Sequence, residues 1–289
     1  MQPRRSQLLK MVLALAAICL VAIAMARYRN LLFSCSTLST AEESGAESPS
    51  GEAGIPCIIH QSWKTRTLPS PRATRWRSTW LKCLPNCRHY LWTDADNRDL
   101  VKRHYSWLLN FYDKLKSGVQ RADLVRYLYL LHFGGIYADL DTVCLKDFRP
   151  LLNGLGLAFG GMDGQWISSV NGSYVQNSFM ASRPKHPFWI GLLHRIVRRL
   201  DSRKQGGAEE STGPLIMMAE LKQYLADGHT DVRIFPPIYF NPFSWITNRR
   251  PDCKTHGAMS DSEEATCVKS FAGAYVVQMH SKSWAGGKA

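Results

Sequence analysis

The spacing of hydrophobic positions divides the chain into three stretches. Residues 11–26 (MVLALAAICLVAIAMA) carry no charge, and Leu8 and Leu9 lengthen that run if Lys10 snorkels. Residues 34–54 have no aromatic and no basic side chain and are rich in Ser, Gly, Ala and Glu, the composition of a flexible stem. From Ile55 hydrophobic periodicity and aromatics persist to Trp284 with no second linker, which predicts one domain.

Inside that domain short apolar runs alternate with helical stripes. Residues 55–60 (IPCIIH) and 88–93 (RHYLWT) predict strands, and Asp94 or Asp96 is placed to cap a helix over 99–112. Residues 120–132 put apolar side chains at 122, 125, 128, 129 and 131, a helical stripe ended by Phe133-Gly134-Gly135. Further strands are expected at 136–140, 157–161, 174–181, 232–235 and 274–280, and helices at 187–200 and 214–226. Strands alternating with helices predict an α/β sheet with ligand chemistry at the strand ends.

Composition excludes disorder, because 45% hydrophobic residues and nine Trp in 289 residues can bury a large core. The formal charge of +13 is divided unevenly. Arg4, Arg5, Lys10, Arg27 and Arg29 flank the apolar run without an acid among the first thirty residues, which orients it with a cytoplasmic N-terminus. The pattern describes a single-pass type II signal anchor: tail 1–10, transmembrane span 11–26, stem 27–54 and lumenal domain 55–289. Ala24-Met25-Ala26 also fits a signal-peptidase site, and either reading exports the domain. Its basic residues are scattered, and with a secretory address this argues against a nucleic-acid partner. Arg195, Arg198 and Arg199, and the Arg249-Arg250 pair, suit anionic headgroups or simply solvent.

Cysteines stand at 19, 35, 57, 83, 87, 144, 253 and 267. The six from Cys57 onward allow up to three disulfides in an oxidising lumen, with Cys253–Cys267 the preferred pair because it brackets a polar loop. Cys83, Cys87 and His89 lack the second ligand pair that a zinc site needs. Asn171-Gly172-Ser173 is a glycosylation sequon, usable only in the lumen.

The sharpest chemical feature is Gly134-Gly135-Ile136-Tyr137-Ala138-Asp139-Leu140-Asp141. Carboxylates two apart at a strand end point the same way and need a cation; a hard Mg²⁺ or Mn²⁺ takes such oxygens and completes its shell with water and phosphate. Asp123 and Arg126 share a helix face at i, i+3, as an ion pair or as groups for sugar hydroxyls and a phosphate. At the C-terminus His280, Ser281, Lys282, Ser283 and Trp284 offer a metal ligand and phosphate-directed donors. Trp63 is either a stacking platform for a base or core.

Together these residues resemble glycosyltransferase family 32, the DXD-containing sugar transferases. The matching segments are IPCIIHQSWK at 55–64, HYLWTD at 89–94, RADLVRYLYLLHFGGIYADLD at 121–141, NSFMASRPKHPF at 177–188, STGP at 211–214 and HSKSW at 280–284. The resemblance implies a GT-A fold, a Rossmann-like nucleotide half fused to an acceptor half in one sheet. It implies that Asp141 binds Mn²⁺ directly, that Asp139 contacts the ribose and the metal shell, and that His280 is a further metal ligand. Trp63 would stack on the base, Asp123 and Arg126 would hold the donor sugar with Tyr137 nearby, and Ser283 and Trp284 would contact the β-phosphate. The implied activity is a retaining, metal-dependent hexosyl transfer from a nucleotide sugar, GDP-mannose first and UDP-hexoses next, to a glycan or glycosphingolipid in the Golgi or ER. Front-face attack is the default mechanism, since no residue is marked as a covalent nucleophile. A glycoside hydrolase is disfavoured because Asp139 and Asp141 do not flank a cleft, and a phosphotransferase because no phosphate-binding Gly-rich loop is present. A non-catalytic sugar-binding protein on the same fold is the alternative from another class.

Overall fold

The computed structural model describes residues 54–163, 169–202, 206–243, 253 and 259–281. They belong to one compact unit, Glu52–Ala289. The expected anchor, cleavage site and stem, Arg249-Arg250, and the proposed phosphate contacts Ser283 and Trp284 lie outside the described residues. Among the described residues no helix is long and apolar enough to cross a membrane.

Strand β1 (Ile58–Ser62) leads to helix α1 (Pro71–Cys83), which Ser70 caps through its hydroxyl with Pro71 in the first turn. After β2 (Arg88–Trp92) the next helix is capped by Thr93 rather than by Asp94 or Asp96; Thr93 and Asp96 satisfy each other's backbone N–H reciprocally. This helix, α2 (Asp94–His104), starts ahead of the expected residue 99. A 3₁₀ turn, Ser106–Leu108, separates it from α3 (Leu109–Lys114), where one continuous helix was expected. Helix α4 (Gly118–Phe133) has a Ser117–Gln120 capping box and stops at Gly134.

The rest runs β3 (Gly135–Ala138), β4 (Thr142–Cys144), β5 (Leu157–Met162), β6 (Tyr174–Ser182), α5 (Pro187–Asp201), α6 (Ala208–Ser211), α7 (Pro214–Ala226), β7 (Val232–Phe235), α8 (Pro237–Phe240), α9 (Asp261–Lys269) and β8 (Val276–Gln278). Pro187, Pro214 and Pro237 each open a helix, where the missing N–H costs nothing.

The main sheet has the order β2-β1-β3-β6-β5-β7, and β6 alone runs against its neighbours. A parallel half, β2-β1-β3, is thus continuous with a second half, β6-β5-β7, as the GT-A expectation required. A separate antiparallel ladder, β4-β8, carries the C-terminal segment back to the end of β3. The expected strand over 136–140 ends at Ala138. Asp139 and Asp141 therefore lie in a turn, and the period-two argument for their common direction does not hold.

Helix α4 is not striped: every residue from Asp123 to Leu131 is buried. It lies beneath the sheet with α5 and α6 packed on it and α7 packed on α5, in one core with Leu128, Leu130, Phe159, Trp189 and Met217. The opposite face buries Trp80, Phe148, Phe179 and Phe240, each worth roughly 1.5–3 kcal/mol or more by burial. A third cluster, Leu140, Val143, Phe243, Phe271 and Met279, packs around the aspartate turn. Disulfides join Cys57–Cys87, Cys83–Cys144 and, as preferred from the sequence, Cys253–Cys267.

The double glycine is a close-packing requirement. Gly134 has φ 65° and a Cβ there would lie 2.6 Å from the nitrogen of Pro184; Gly135 has φ 96° and its Cβ would meet the Ile58 carbonyl at 2.5 Å. The Gly134 carbonyl in turn accepts from Nε2 of the buried His60 at 2.9 Å.

Candidate active site

Strand β3 delivers its chain to the C-terminal edge of the sheet, where ligands of α/β proteins bind. The Asp139 N–H donates to the Ser178 carbonyl at 2.9 Å, and Thr142 Oγ1 donates to the Asp139 carbonyl at 2.5 Å. Those bonds fix the turn. Asp141 is held from β8: its carbonyl accepts from Met279 N at 2.8 Å, and its Oδ2 accepts from Ser281 N at 2.8 Å and Ser281 Oγ at 2.9 Å.

Helix α4 supplies a charged network behind the turn. Arg126 Nη1 donates to Asp139 Oδ1 at 3.0 Å and to the Asn177 carbonyl at 2.9 Å, and Nη2 lies 3.4 Å from Asp123 Oδ1. The guanidinium also sits 4.6 Å over the Tyr137 ring, while Tyr137 OH donates to Asp139 Oδ1 at 2.7 Å. Asp123 accepts from Asn177 Nδ2 at 2.9 Å and from Thr212 Oγ1 at 3.1 Å. The i, i+3 pair is therefore part of a six-residue net around a buried guanidinium and not a surface ion pair.

Burial pushes Asp123 up to about 6 although Arg126, Asn177 and Thr212 pull it down. Burial likewise raises Asp139 to about 6 against Arg126, with the Asp141 charge adding to the rise. Burial opposes the charge of Arg126, but Tyr137, Asp139 and Asp123 outweigh it and its pKa is raised. One cation thus serves two acids whose ionisation burial resists.

The donor set at the turn fits a hard divalent ion. Asp139 and Asp141 are both partly exposed, the Asp141 charge raises the cost of charge on Asp139, and no hydrogen bond takes Asp141 Oδ1 among the described residues. Among the described residues no three His, Cys, Asp or Glu side chains converge as a ready-made metal cage. His280 in particular turns away: its Nε2 donates to the Phe243 carbonyl at 2.7 Å. Trp63 follows β1, packs against the cluster around Leu140 and carries Lys64 Nζ 5.8 Å over its ring. Asp123, Arg126, Tyr137, Asp139 and Asp141 are thus brought together, and Trp63 and His280 stand at the margin.

Sequence reasoning gave no role to Asn177, Thr212 or Gln278, and read Ser281 as a phosphate-directed donor rather than as the group that holds Asp141. Asn177 bridges Asp123, Tyr127 and Arg126; Gln278 accepts from Ser178 Oγ at 2.8 Å and reaches Asp139 Oδ2 at 3.4 Å. Three of them lay in quoted motif segments or beside one, but their meaning depends on β6, the α6–α7 turn and β8 meeting at α4.

Comparison with known proteins agrees with this geometry. Residues 70–156 match the family described as "Glycosyltransferase sugar-binding region containing DXD motif". The mannosyl phosphorylinositol ceramide synthase SUR1 of Saccharomyces cerevisiae is 32% identical over 213 residues, 71% of this chain and 52% of that protein. Inositol phosphoceramide mannosyltransferase 1 of Schizosaccharomyces pombe is 30% identical over 214 residues, 71% of this chain and 63% of that protein. The chain thus spans between about half and two thirds of the length of these two relatives. Among solved structures, the PaToxG glycosyltransferase overlaps with a TM-score of 0.48 at 17% identity, over 77% of this chain and 89% of that one. With its aspartate turn inside the matched segment, the chain carries the DXD-containing glycosyltransferase sugar-binding region, and the family resemblance drawn from its motifs holds.

Proposed function

We propose that the chain transfers a hexose from a nucleotide sugar to a hydroxyl of a glycan or glycolipid, with retention at the anomeric carbon. The observation that carries this reading is the pair Asp139 and Asp141 at the C-terminal edge of β3, one clamped by Arg126 and the other by Ser281. GDP-mannose is the first donor to test, in keeping with relatives named as mannosyltransferases; UDP-hexoses come second. A phosphorylated sphingolipid is the first acceptor class to test, from the same names.

Asp139 and Asp141 would hold Mn²⁺ or Mg²⁺, with His280 proposed as a further ligand. Such an ion stabilises negative charge on the leaving diphosphate. The protein's own contribution is positional and electrostatic. Arg126 keeps the Asp139 carboxylate ionised and aimed, Tyr137 OH fixes the same oxygen, and Asn177 and Thr212 hold Asp123 behind them. Trp63 beside β1 offers an indole for the base, and Ser283 and Trp284 are proposed phosphate contacts. Among the described residues no side chain is placed as a nucleophile, so the acceptor hydroxyl attacks on the face the diphosphate leaves, and the departing oxygen takes its proton.

The proposed topology is a type II protein: tail 1–10, span 11–26, stem 27–54 and a lumenal catalytic domain in the Golgi or ER. The test of function is nucleoside diphosphate release by the full chain from GDP- and UDP-sugars with Mn²⁺ or EDTA. Release from one donor, abolished by EDTA and reduced at least about 100-fold in Asp141→Ala, is expected. An Asp141→Ala protein that keeps the full rate would overturn the assignment.

A further inference from the structure

The sequence holds a single N-x-Ser/Thr triplet, Asn171-Gly172-Ser173, and the fold places it at the apex of a tight hairpin ahead of β6. Val170 and Ser173 exchange both backbone hydrogen bonds, at 2.9 and 3.1 Å, so Asn171 and Gly172 alone form the loop. Their φ angles are 50° and 79°, the positive values of a type I′ turn. Both residues are exposed, whereas Val170 and Tyr174 on either side are buried in the core that α4 shares. The hairpin is therefore anchored at its base and meets solvent at its tip. Turn chemistry accounts for Asn171 and Gly172, the favoured pair in such a loop, and close packing against Gly161 asks only for a small residue at 173. Neither demand calls for the hydroxyl that completes the triplet.

Two further observations bear on the triplet. The first is compartment. All six cysteines from Cys57 onward are paired in disulfides, which persist in an oxidising lumen and are rare in the cytosol. That argument comes from the fold and is independent of the apolar run at 11–26. The second is room. Strand β6 runs against β3, so its start lies at the edge where β3 ends. The Ser178 carbonyl accepts from the Asp139 N–H, and the chain from Ser178 back to Asn171 reaches at most roughly 23 Å beyond it at about 3.3 Å per residue. The chain enters the domain at the opposite edge, at Gly54 ahead of β1. A bulky hydrophilic group on Asn171 thus stands on a projecting tip, away from the point of entry.

We infer that Asn171 is a modification site and carries an N-linked oligosaccharide. The amide nitrogen of Asn171 forms the new bond to the anomeric carbon of an oligosaccharide held on a lipid diphosphate. The bond from that carbon to the phosphate oxygen breaks, the lipid diphosphate leaves and the amide proton passes to solvent. A lumenal oligosaccharide transferase supplies the catalysis. It acts before the hairpin closes, since the tight turn leaves little backbone for another enzyme to grip. The folded turn then has only to keep the sugar chain in solvent, as its exposed tip does. The inference rests on the lumenal address proposed above and not on the transferase activity.

The test is expression of the full chain in eukaryotic cells, with mobility on a denaturing gel before and after peptide N-glycosidase. The enzyme is also applied in heavy-oxygen water, so that a released Asn171 becomes an isotope-labelled Asp in the peptide mass. The expected result is one step of increased mobility for the unaltered chain and the label at Asn171. Ser173→Ala keeps the Asn-Gly turn and should run at the faster position without treatment, while Ser173→Thr should keep the slower one. Asn171→Gln should match Ser173→Ala. Intact microsomes from the same cells are treated with protease to locate the domain. A protected domain whose Asn171 is unlabelled overturns the inference and leaves the lumenal address standing. A digested domain removes the address and the inference together. A mobility step that survives in Ser173→Ala, whose turn is intact, also overturns it, because the mass would then sit elsewhere.

Discussion

The two aspartates of the turn are supported from opposite sides by different kinds of structure. Asp139 leans on α4, through a guanidinium buried with two acids and an aromatic ring. Asp141 leans on the chain that follows β8, through two N–H groups and one hydroxyl. The first support is a desolvated charge network, which is costly to disturb because removing one member strands the others. The second is a set of ordinary hydrogen bonds from a short segment, each of which can be lost at modest cost. Rigid placement and adjustable placement are thus combined on two residues only two positions apart.

The largest expected effect comes from cutting the α4 support. Arg126→Met leaves the buried Asp123 and the partly exposed Asp139 without their cation and should cost about 3–5 kcal/mol at pH 7, read as a shift of the urea midpoint. Both acids already sit near 6 with Arg126 present and would rise further without it. Acid therefore restores part of the loss, since protonated carboxyls no longer need the guanidinium. The double variant Asp123→Asn with Arg126→Met should recover some stability for the same reason. A loss below about 1 kcal/mol at pH 7 would show that water screens these acids, and the contrast with β8 would collapse.

A second effect tests whether the scaffold under the turn is as dry as α4. His60 is fully buried on β1, accepts from Trp92 Nε1 at Nδ1 and gives Nε2–H to the Gly134 carbonyl, so the neutral ring has both nitrogens satisfied. Burial lowers its pKa to about 4. The unfolded chain, with its imidazole near 6.5, then binds the extra proton between pH 6.5 and 4. The contribution of His60 is present above pH 6.5 and is lost as pH falls through that window, by as much as about 3 kcal/mol. Asp123 and Asp139 act with the opposite sign, because their raised pKa values make the fold bind protons first. The measurement is therefore the difference in unfolding free energy between the unaltered chain and His60→Gln, at pH 7 and pH 4.5. It should shrink on acidification; a constant difference would mean that the folded ring takes up its proton where the unfolded one does.

The sequence made legible what depends on local chemistry. Helix ends marked by Pro214 and by Gly134, the alternation of strands and helices, and the unusual Gly-Gly before two acids could all be read directly. Thr93 was overlooked as a cap because two aspartates follow it, yet only Thr93 stands in extended backbone with its hydroxyl aimed at the Asp96 N–H. The α4 stripe was misread because a helix covered on all sides by sheet and helices has no polar face to reveal. Asp123 and Arg126 looked like a bland ion pair for the same reason: their meaning comes from Asn177 on β6 and Thr212 before α7, far away in the chain. His280 was chosen on residue type and by the resemblance, and Gln278 was passed over; the fold turns the imidazole to Phe243 and the carboxamide to Asp139.

The smallest effect is the most informative about the β8 support. Ser281→Ala removes the hydroxyl bond to Asp141 Oδ2 and keeps the backbone N–H on the same oxygen. A net hydrogen bond to a partly exposed carboxylate is worth about 1 kcal/mol, so global stability should fall by no more than that. If the hydroxyl instead serves to aim Asp141, the loss appears in divalent-ion binding: Mn²⁺ affinity, followed by the paramagnetic relaxation of water protons, should weaken by about fivefold. Thr at this position keeps a hydroxyl and should restore most of the affinity. An effect on stability as large as that of Arg126→Met, with ion binding unchanged, would mean that the segment after β8 is as rigid as α4 and merely closes the fold. The combination expected here, a small change in stability beside a clear change in ion affinity, is what separates a positioning contact from a structural one.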